Sequence, residues 1–182
     1  MPAPPSADGW EAALVAQARD GNESAFETLV RRHQDRAYLV ALRITGHPQN
    51  AQDAVQDALL NAWKGLPRHR SESSFGTWLI RIVINRCHNQ RRAARPITAL
   101  PDDEPMSGPG PESEVVAAHR QDATMRAMAA LPFDQRTALV LHTFNGCTHA
   151  EAGRILGISE NAAKVRVHRA RRTLTARLQG WR

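Results

Sequence analysis

Apolar residues recur every three or four positions along most of this chain, with polar residues between them. This is the period of an α-helix that buries one face, whereas a half-buried strand alternates every second residue. The pattern predicts eight helices, at about residues 10–19, 24–45, 50–64, 74–92, 115–131, 134–144, 148–156 and 159–178. No segment alternates over the length of a strand, so we expect an all-α protein.

The expected helix ends carry residues that stop helices. Gly46 and Pro48 follow the second predicted helix, Gly65 and Pro67 follow the third, and Pro132 follows the fifth. A polar loop is predicted between the third and fourth helices. Glycine ends helices because it tolerates left-handed backbone, and proline cannot continue them because it lacks an amide hydrogen.

One segment interrupts the helical pattern. Residues 96–119 contain five acids and five prolines but no lysine or arginine. Proline and glycine prevent regular structure and the acids favour solvation, so we predict a flexible acidic linker. The chain is therefore expected to form two small helical domains joined by this linker.

Composition narrows the possible partners. The 24 Lys and Arg exceed the 18 Asp and Glu and give a net charge of +6, which favours a polyanionic partner. Cys87 and Cys147 lie outside any C-x-x-C pair, so we expect neither a disulfide framework nor a zinc site. No run approaches the roughly 18 consecutive apolar residues of a membrane span. The first residues lack the order of a secretory signal. We therefore expect a cytoplasmic protein that does not insert into membranes.

Residues 148–178 have the features of a helix-turn-helix. Thr148 and Glu151 have the spacing of a capping box. Gly157 can end the first helix in left-handed backbone, and Ser159 can cap the second. Gly153 lies within the first helix, where a small residue lets two helices cross closely. An ordinary helical hairpin with a basic exposed face is the alternative.

The second helix of this motif is strongly basic. In a DNA-reading motif its N-terminal half enters the major groove. Lys164, Arg166 and Arg169 are placed to contact bases or flanking phosphates, and arginine can form two hydrogen bonds to guanine. Arg171, Arg172 and Arg177 are expected to hold the DNA backbone.

The fourth predicted helix carries a polar stripe beside its apolar one. The stripe follows helical spacing and consists of Trp78, Arg81, Asn85, Asn89 and Arg92. An aromatic ring can stack on bases, amides can contact base edges, and guanidiniums can hold the backbone, which together suit an unpaired strand. Trp78 fits the core of a small helical domain equally well, so both roles stay open for it.

The third predicted helix carries an acidic patch. Asp53, Gln56 and Asp57 lie at i, i+3 and i+4, opposite the apolar stripe. The patch has the wrong sign for nucleic acid, so it indicates a protein partner. A plain solvated face is the alternative.

Three blocks of the chain resemble the conserved blocks of bacterial extracytoplasmic-function (ECF) sigma factors, a small group of the sigma-70 family. They are DAVQDALLNAW, LPRHRSESSFGTWLIRIVINRCHNQRR and LPFDQRTALVLHTFNGCTHAEAGRILGISENAAKVRVHRARR. The resemblance covers about residues 10–178 in the family's order and spacing. Ala162, Ala163 and Val165 stand where the family commonly has Thr, Val and Ser, so we expect an unusual −35 preference.

The resemblance implies a tail at residues 1–9, a region-2 domain at 10–95, a linker at 96–119 and a region-4 domain at 120–182. It also implies three partners: core RNA polymerase, through its β′ clamp helices and β subunit, promoter DNA, and an anti-sigma factor. Asp53, Gln56 and Asp57 match the family's polymerase-docking helix.

The DNA-binding residues follow from the same resemblance. The set that matches the capture and melting of the −10 element is Arg68, Arg70, Ser73, Trp78, Arg81, Asn85, Asn89 and Arg92. The set that matches the reading of the −35 element is Ser159, Lys164, Arg166, Arg169 and Arg171.

Two other classes of function compete with this interpretation. A stand-alone helix-turn-helix regulator would explain residues 134–178 but not the polar stripe of the first half. An enzyme is not expected, because none of the eight histidines pairs with Cys, Asp or Glu at ligand or triad spacing, and no Gly-rich phosphate loop occurs. We expect no catalytic residue, no metal and no cofactor.

Overall fold

The structure, a computed structural model, describes residues 7–69, 73–94 and 124–178. Every regular element in those ranges is helical, as the sequence predicts. The helices are α1 (Ala7–Arg19), α2 (Glu23–Thr45), α3 (Pro48–Gly65), α4 (Phe75–Ala94), α5 (residues 124–129), α6 (Phe133–Leu139), α7 (His149–Leu156) and α8 (Glu160–Leu178). The predicted linker at 96–119 lies outside the described residues, and α1 begins within the predicted tail.

Two segments differ from the predicted elements. Leu66–Arg68 form a 3-10 turn where a polar loop is predicted, because Leu66 turns inward and is completely buried. The helix predicted at 134–144 is α-helical only to Leu139 and continues as a π-helix over Val140–Phe144. The wider π turn lets the Asn145 N–H donate to the Val140 carbonyl over 3.1 Å.

Helices α2, α3 and α4 form the core of the first half. Helix α3 buries mainly small side chains, which lets its two neighbours approach it closely. Larger side chains from the neighbours and the 3-10 turn fill the remaining space, among them Leu29, Ile44, Leu66, Phe75 and Leu79.

The predicted helix-turn-helix is formed by α7 and α8. The Glu151 N–H donates to the Thr148 hydroxyl over 3.2 Å, and the Glu151 carboxylate accepts from the Thr148 N–H over 2.7 Å, which completes the capping box. Gly157 ends α7 with φ at +67°. A Cβ on Gly153 would lie 2.8 Å from the Ile158 carbonyl oxygen, so the predicted close crossing is confirmed.

The capping box makes part of the stability depend on pH. Hydrogen bonds from the backbone N–H and then the hydroxyl of Thr148 lower the pKa of Glu151. A lowered folded pKa means that this stabilisation is present above the unfolded pKa of about 4.3 and is lost as pH falls through the folded pKa. We expect wild type to unfold at higher urea than Glu151→Gln near pH 6, and this difference to be smaller near pH 3. A difference that stays constant between those pH values would contradict the assignment.

One hydrophobic cluster runs through both halves of the chain. Leu29 from the first half belongs to the same cluster as Leu141 and Ile155 from the second. Beside this cluster, Arg36 donates from Nε to the Asn145 side-chain oxygen and from Nη2 to the Asn145 carbonyl over 2.8 Å. The two halves therefore pack directly against each other along a junction of α2 and α4 with α6, α7 and the π turn.

Candidate functional site

Helix α8 is held by its buried face and by its cap. Ala163, Val167 and Ala170 are buried, so small side chains bring α8 close to α6 and α7. The Ala162 N–H donates to the Ser159 hydroxyl over 3.2 Å, which satisfies one of the free amides at the start of the helix. The cationic side chains are consequently displayed on a rigid element.

The exposed face of α8 forms a basic groove of about 550 Å³ with Gln135. Lys164 and Arg169, both predicted DNA contacts, line this groove together with Arg172. Asn161 and His168 line it as well, although the sequence analysis did not single them out. Asn161 lies three residues before Lys164 and His168 four residues after it, and this helical spacing could have placed both on the same face as Lys164. The groove therefore combines positive charge with groups that hydrogen-bond base edges.

Val165 also belongs to the basic groove. It is 40% exposed, which is unusual for an aliphatic side chain in the middle of a charged surface. An exposed apolar side chain on a helix that enters the major groove of DNA can contact a thymine methyl group but cannot accept or donate a hydrogen bond.

Arg166 and Arg171 lie on the flanks of the basic groove. Arg166 forms an ion pair with Asp134 at the start of α6, with 3.1 Å between Nη2 and Oδ2. Arg171 is near His149, whose pKa is lowered by partial desolvation and then by the positive charges of His142, Lys164 and Arg171. Of the five predicted −35 residues, Lys164 and Arg169 thus share one groove, Ser159 caps the helix, and the other two flank it.

The Arg166–Asp134 ion pair leads to a testable expectation for DNA binding. Asp134→Asn removes the partner that holds Arg166 against α6, so the guanidinium becomes available to a phosphate. We expect tighter DNA binding and a slope of log K against log salt that is steeper by about one phosphate contact, roughly 0.9. Fluorescence anisotropy over a salt series measures the slope. Glu160→Gln is the matched control, since it removes an exposed acid from the same surface without releasing Arg166, and an equal slope change in both variants would contradict the argument.

The polar stripe of α4 is exposed as predicted. Arg81, Asn85, Asn89 and Arg92 all face solvent on one side of the helix. Among the predicted loop residues, Arg68 ends the 3-10 turn and is exposed, and Ser73 is exposed just before α4. Arg70 lies outside the described residues.

Trp78 occupies the boundary between the stripe and the core. It is partly buried and packs against the cluster that contains Phe75, with 5.9 Å between the ring centroids. It also contacts His69, a residue of the predicted loop that is itself buried and stacks on the indole with 4.5 Å between the ring centroids. This stack orients the indole at the edge of the exposed stripe.

The acidic patch of α3 faces solvent. Asp53, Gln56 and Asp57 are all exposed, and the Gln49 side-chain amide donates to Asp53 Oδ1 over 3.0 Å. Leu60 continues the same face at i+7 from Asp53 and is 55% exposed, a position that the sequence analysis did not predict. An exposed leucine beside two carboxylates is suited to a protein partner, because it adds apolar contact to the charge.

The described residues meet neither the requirements of a metal site nor those of a reactive thiol. No group of three or more His, Cys, Asp or Glu residues there is arranged to hold a metal ion. Cys87 and Cys147 are free thiols, and burial raises the pKa of Cys87 to about 12 and also raises that of Cys147. Both are therefore poor nucleophiles at neutral pH. Within the same ranges, every helix is too short or too polar to cross a bilayer.

Comparison with known proteins agrees with the two-part organisation. The family model of Sigma-70 region 2 matches residues 29–97, and that of Sigma-70, region 4 matches residues 121–174. The ECF RNA polymerase sigma factor SigM of Mycobacterium tuberculosis is 35% identical over 94% of this chain and 85% of its own length. RNA polymerase sigma factor NccH of Alcaligenes xylosoxydans xylosoxydans is 37% identical over 92% of this chain and 94% of its own.

A solved structure has a similar fold over nearly the whole chain. It is that of CnrH in complex with the cytosolic domain of CnrY, and it superposes with a TM-score of 0.72 at 28% sequence identity. The match covers 94% of this chain and 98% of CnrH.

Proposed function

Because this chain belongs to the ECF sigma factors of the sigma-70 family, we propose that it binds core RNA polymerase and directs it to specific promoters. Region 2 and region 4 follow each other in the family's order, and relatives align along more than nine-tenths of the chain. The observation that carries the proposal is the capped helix α8, which displays a basic groove at the second helix of a helix-turn-helix.

The domain boundaries remain those that the sequence predicts. A tail at residues 1–9, of which residues 7–9 already belong to α1, precedes region 2 at residues 10–95, and a linker at 96–119 leads to region 4 at 120–182. The spans of the two family models, 29–97 and 121–174, support this division.

Region 4 reads the −35 element through α8. Lys164 and Arg169 point into the basic groove and make the principal contacts, while Ser159 holds the helix start. Arg171 holds the flanking backbone. Arg166 is the remaining −35 residue, and it contacts the DNA backbone only in competition with Asp134, which holds it at the side of α8.

Region 2 captures and melts the −10 element with the stripe of α4. Asn85 and Asn89 read the edges of unpaired bases, and the arginines hold the backbone, as the chemistry of single-strand binding requires. Trp78 stacks on a base from its position at the boundary of the core. The residues proposed for this surface are Arg68, Arg70, Ser73, Trp78, Arg81, Asn85, Asn89 and Arg92.

The acidic patch docks on core RNA polymerase. Asp53, Gln56 and Asp57 contact the β′ clamp helices, with Leu60 as the apolar member of the same face, and the β subunit is a further contact. An anti-sigma factor is proposed as a third partner, because the similar CnrH was solved with the cytosolic domain of CnrY. The melting draws on binding energy alone, so no catalytic residue, cofactor or metal is proposed. Polymerase and promoters are cytoplasmic in bacteria, and the same compartment is proposed for this chain.

The experiment that tests this function is transcription from a random DNA library by core RNA polymerase with and without this protein. We expect transcripts only when both are present, with start sites downstream of two short shared elements. Lys164→Gln with Arg169→Gln should abolish these transcripts, because two of the three cations that line the groove are lost. Arg154→Gln on the exposed face of α7 is the matched control. DNA selected by the protein alone, without polymerase-dependent transcripts, would instead identify a stand-alone regulator.

A further inference from the structure

Arg136 is a buried charge without an acidic partner among the described residues. It is 2% exposed, and the ion pairs found among the described residues do not include it. Its Nη1 donates to the Ala129 carbonyl over 3.1 Å. Its Nε has no hydrogen-bond partner in the described part of the chain. A buried guanidinium is normally paired, because desolvation of an unpaired charge is costly.

A second arginine lies close to the first. Burial and then the positive charge of Arg91 lower the pKa of Arg136 to about 10. The guanidinium carbons of Arg91 and Arg136 lie 5.1 and 6.0 Å from the centroid of the Phe133 ring. Two cations are therefore gathered around one aromatic ring at the junction of the two halves.

Both arginines line a cleft of about 440 Å³ between α2, α3, α4 and α6. Thr45, Asn50 and Gln90 supply polar groups to its wall, and Ile44 and Phe133 supply apolar surface. Asp53 is the acidic residue on the described wall, and its Oδ1 already accepts a hydrogen bond from Gln49. The volume lies within the range of small-molecule sites, roughly 300 to 1,000 Å³, and the charge of the wall is positive.

We propose that this cleft binds a small organic anion. Its carboxylate or phosphate oxygens pair with Arg136 and Arg91, and its apolar body lies against Phe133 and Ile44. An inorganic ion can pair with both arginines but leaves most of the cleft empty. The ligand therefore also needs an aromatic or aliphatic group to contact the apolar wall. Such a ligand contacts elements of both halves and favours the packed arrangement over a separated one.

The test is isothermal titration calorimetry of the full chain with phenyl phosphate, benzoate and inorganic phosphate at constant ionic strength. We expect saturable binding of phenyl phosphate or benzoate at one site, at least about tenfold tighter than inorganic phosphate. Arg91→Gln should weaken it by about tenfold or more. The matched control is Arg169→Gln with Arg172→Gln, which removes two cations from α8 and should leave the affinity unchanged.

Three results would overturn the proposal. These are the absence of saturable binding, an affinity that Arg91→Gln does not change, and an affinity that the α8 variant abolishes. Arg136→Met is a second test, used after circular dichroism shows wild-type helicity, and it should remove binding altogether. The titration uses neither DNA nor polymerase, so its result is independent of the proposed function.

A carboxylate can also come from the chain itself, since residues 102–104 are acidic. Titration of the variant Asp102→Asn, Asp103→Asn, Glu104→Gln distinguishes a free ligand from the acidic segment of the chain. Equal affinity in this variant and in wild type supports a free ligand. Binding that appears only in the variant would assign the cleft to the acidic segment and overturn the proposal.

Discussion

Asp53→Arg combined with Asp57→Arg is expected to abolish association with core RNA polymerase. Both carboxylates are exposed on one face of α3, so the change reverses the charge of the proposed docking surface without disturbing the core. Like charges brought together across an interface cost several kcal/mol, and the affinity should fall by at least about 100-fold. Size-exclusion co-elution detects the loss, and a fluorescence titration gives its size.

The control for this charge reversal is Asp20→Arg. Asp20 is an exposed acid between α1 and α2, away from the acidic patch in the chain, and its replacement should leave polymerase binding within about twofold of wild type. Leu60→Ser tests the apolar member of the same face and should weaken binding about tenfold. Wild-type affinity in the double arginine variant would remove α3 from the polymerase interface.

Gly153→Ala is expected to have the largest effect on stability. The added Cβ would lie 2.8 Å from the Ile158 carbonyl oxygen and 3.3 Å from the Glu160 nitrogen, both of them backbone atoms that cannot rotate away. The turn cannot shift freely either, because the Ile158 N–H donates to the Gly153 carbonyl over 2.9 Å. Alanine gains about 1 kcal/mol in helix propensity and overpacking costs about 1–3 kcal/mol, so we expect a net destabilisation of up to about 2 kcal/mol.

Urea unfolding followed by circular dichroism measures this change, and Gly65→Ala is the matched control. At Gly65 the new Cβ would meet only the Trp78 ring at 3.4 Å, an ordinary contact. The same substitution there should be neutral or stabilising by up to about 1 kcal/mol. If both variants unfold at the same urea concentration as wild type, α7 and α8 do not cross at Gly153 as described. DNA affinity should fall with stability in the first variant alone, since α8 is positioned by that crossing.

The helices and their caps were predictable because their causes are local. The capping box at Thr148 and Glu151, the left-handed Gly157 and the small Gly153 each follow from residues a few positions apart in the chain. The exposed members of the polar stripe and acidic patch were predictable for the same reason, since helical spacing alone places them opposite the apolar positions. Their contacts with DNA and polymerase stay predictions.

The features that sequence analysis missed depend on contacts between distant segments. Nothing around Arg36 indicates that it meets Asn145, and nothing around Arg166 indicates that Asp134 holds it to the side of α8. The π turn is missed because the apolar positions of Val140–Phe144 fit an α-helix equally well. The sequence does not show that the Asn145 N–H donates to the Val140 carbonyl. Arg136 looks like an ordinary surface cation, and only the packing of α6 against α4 shows that it is buried.

The junction also has a consequence for how the protein is made. The hydrogen bonds between Arg36 and Asn145 join positions 109 residues apart, so they cannot form until most of the chain has been synthesised. Helices α1 to α4 leave the ribosome before the second half and can already pack together, because their contacts lie within the first half of the chain. During that interval the surface that later meets Phe133 and Asn145 faces the surrounding solution. A nascent region 2 therefore passes through a stage in which its acidic patch and its junction surface are both exposed, before region 4 arrives to cover the junction surface.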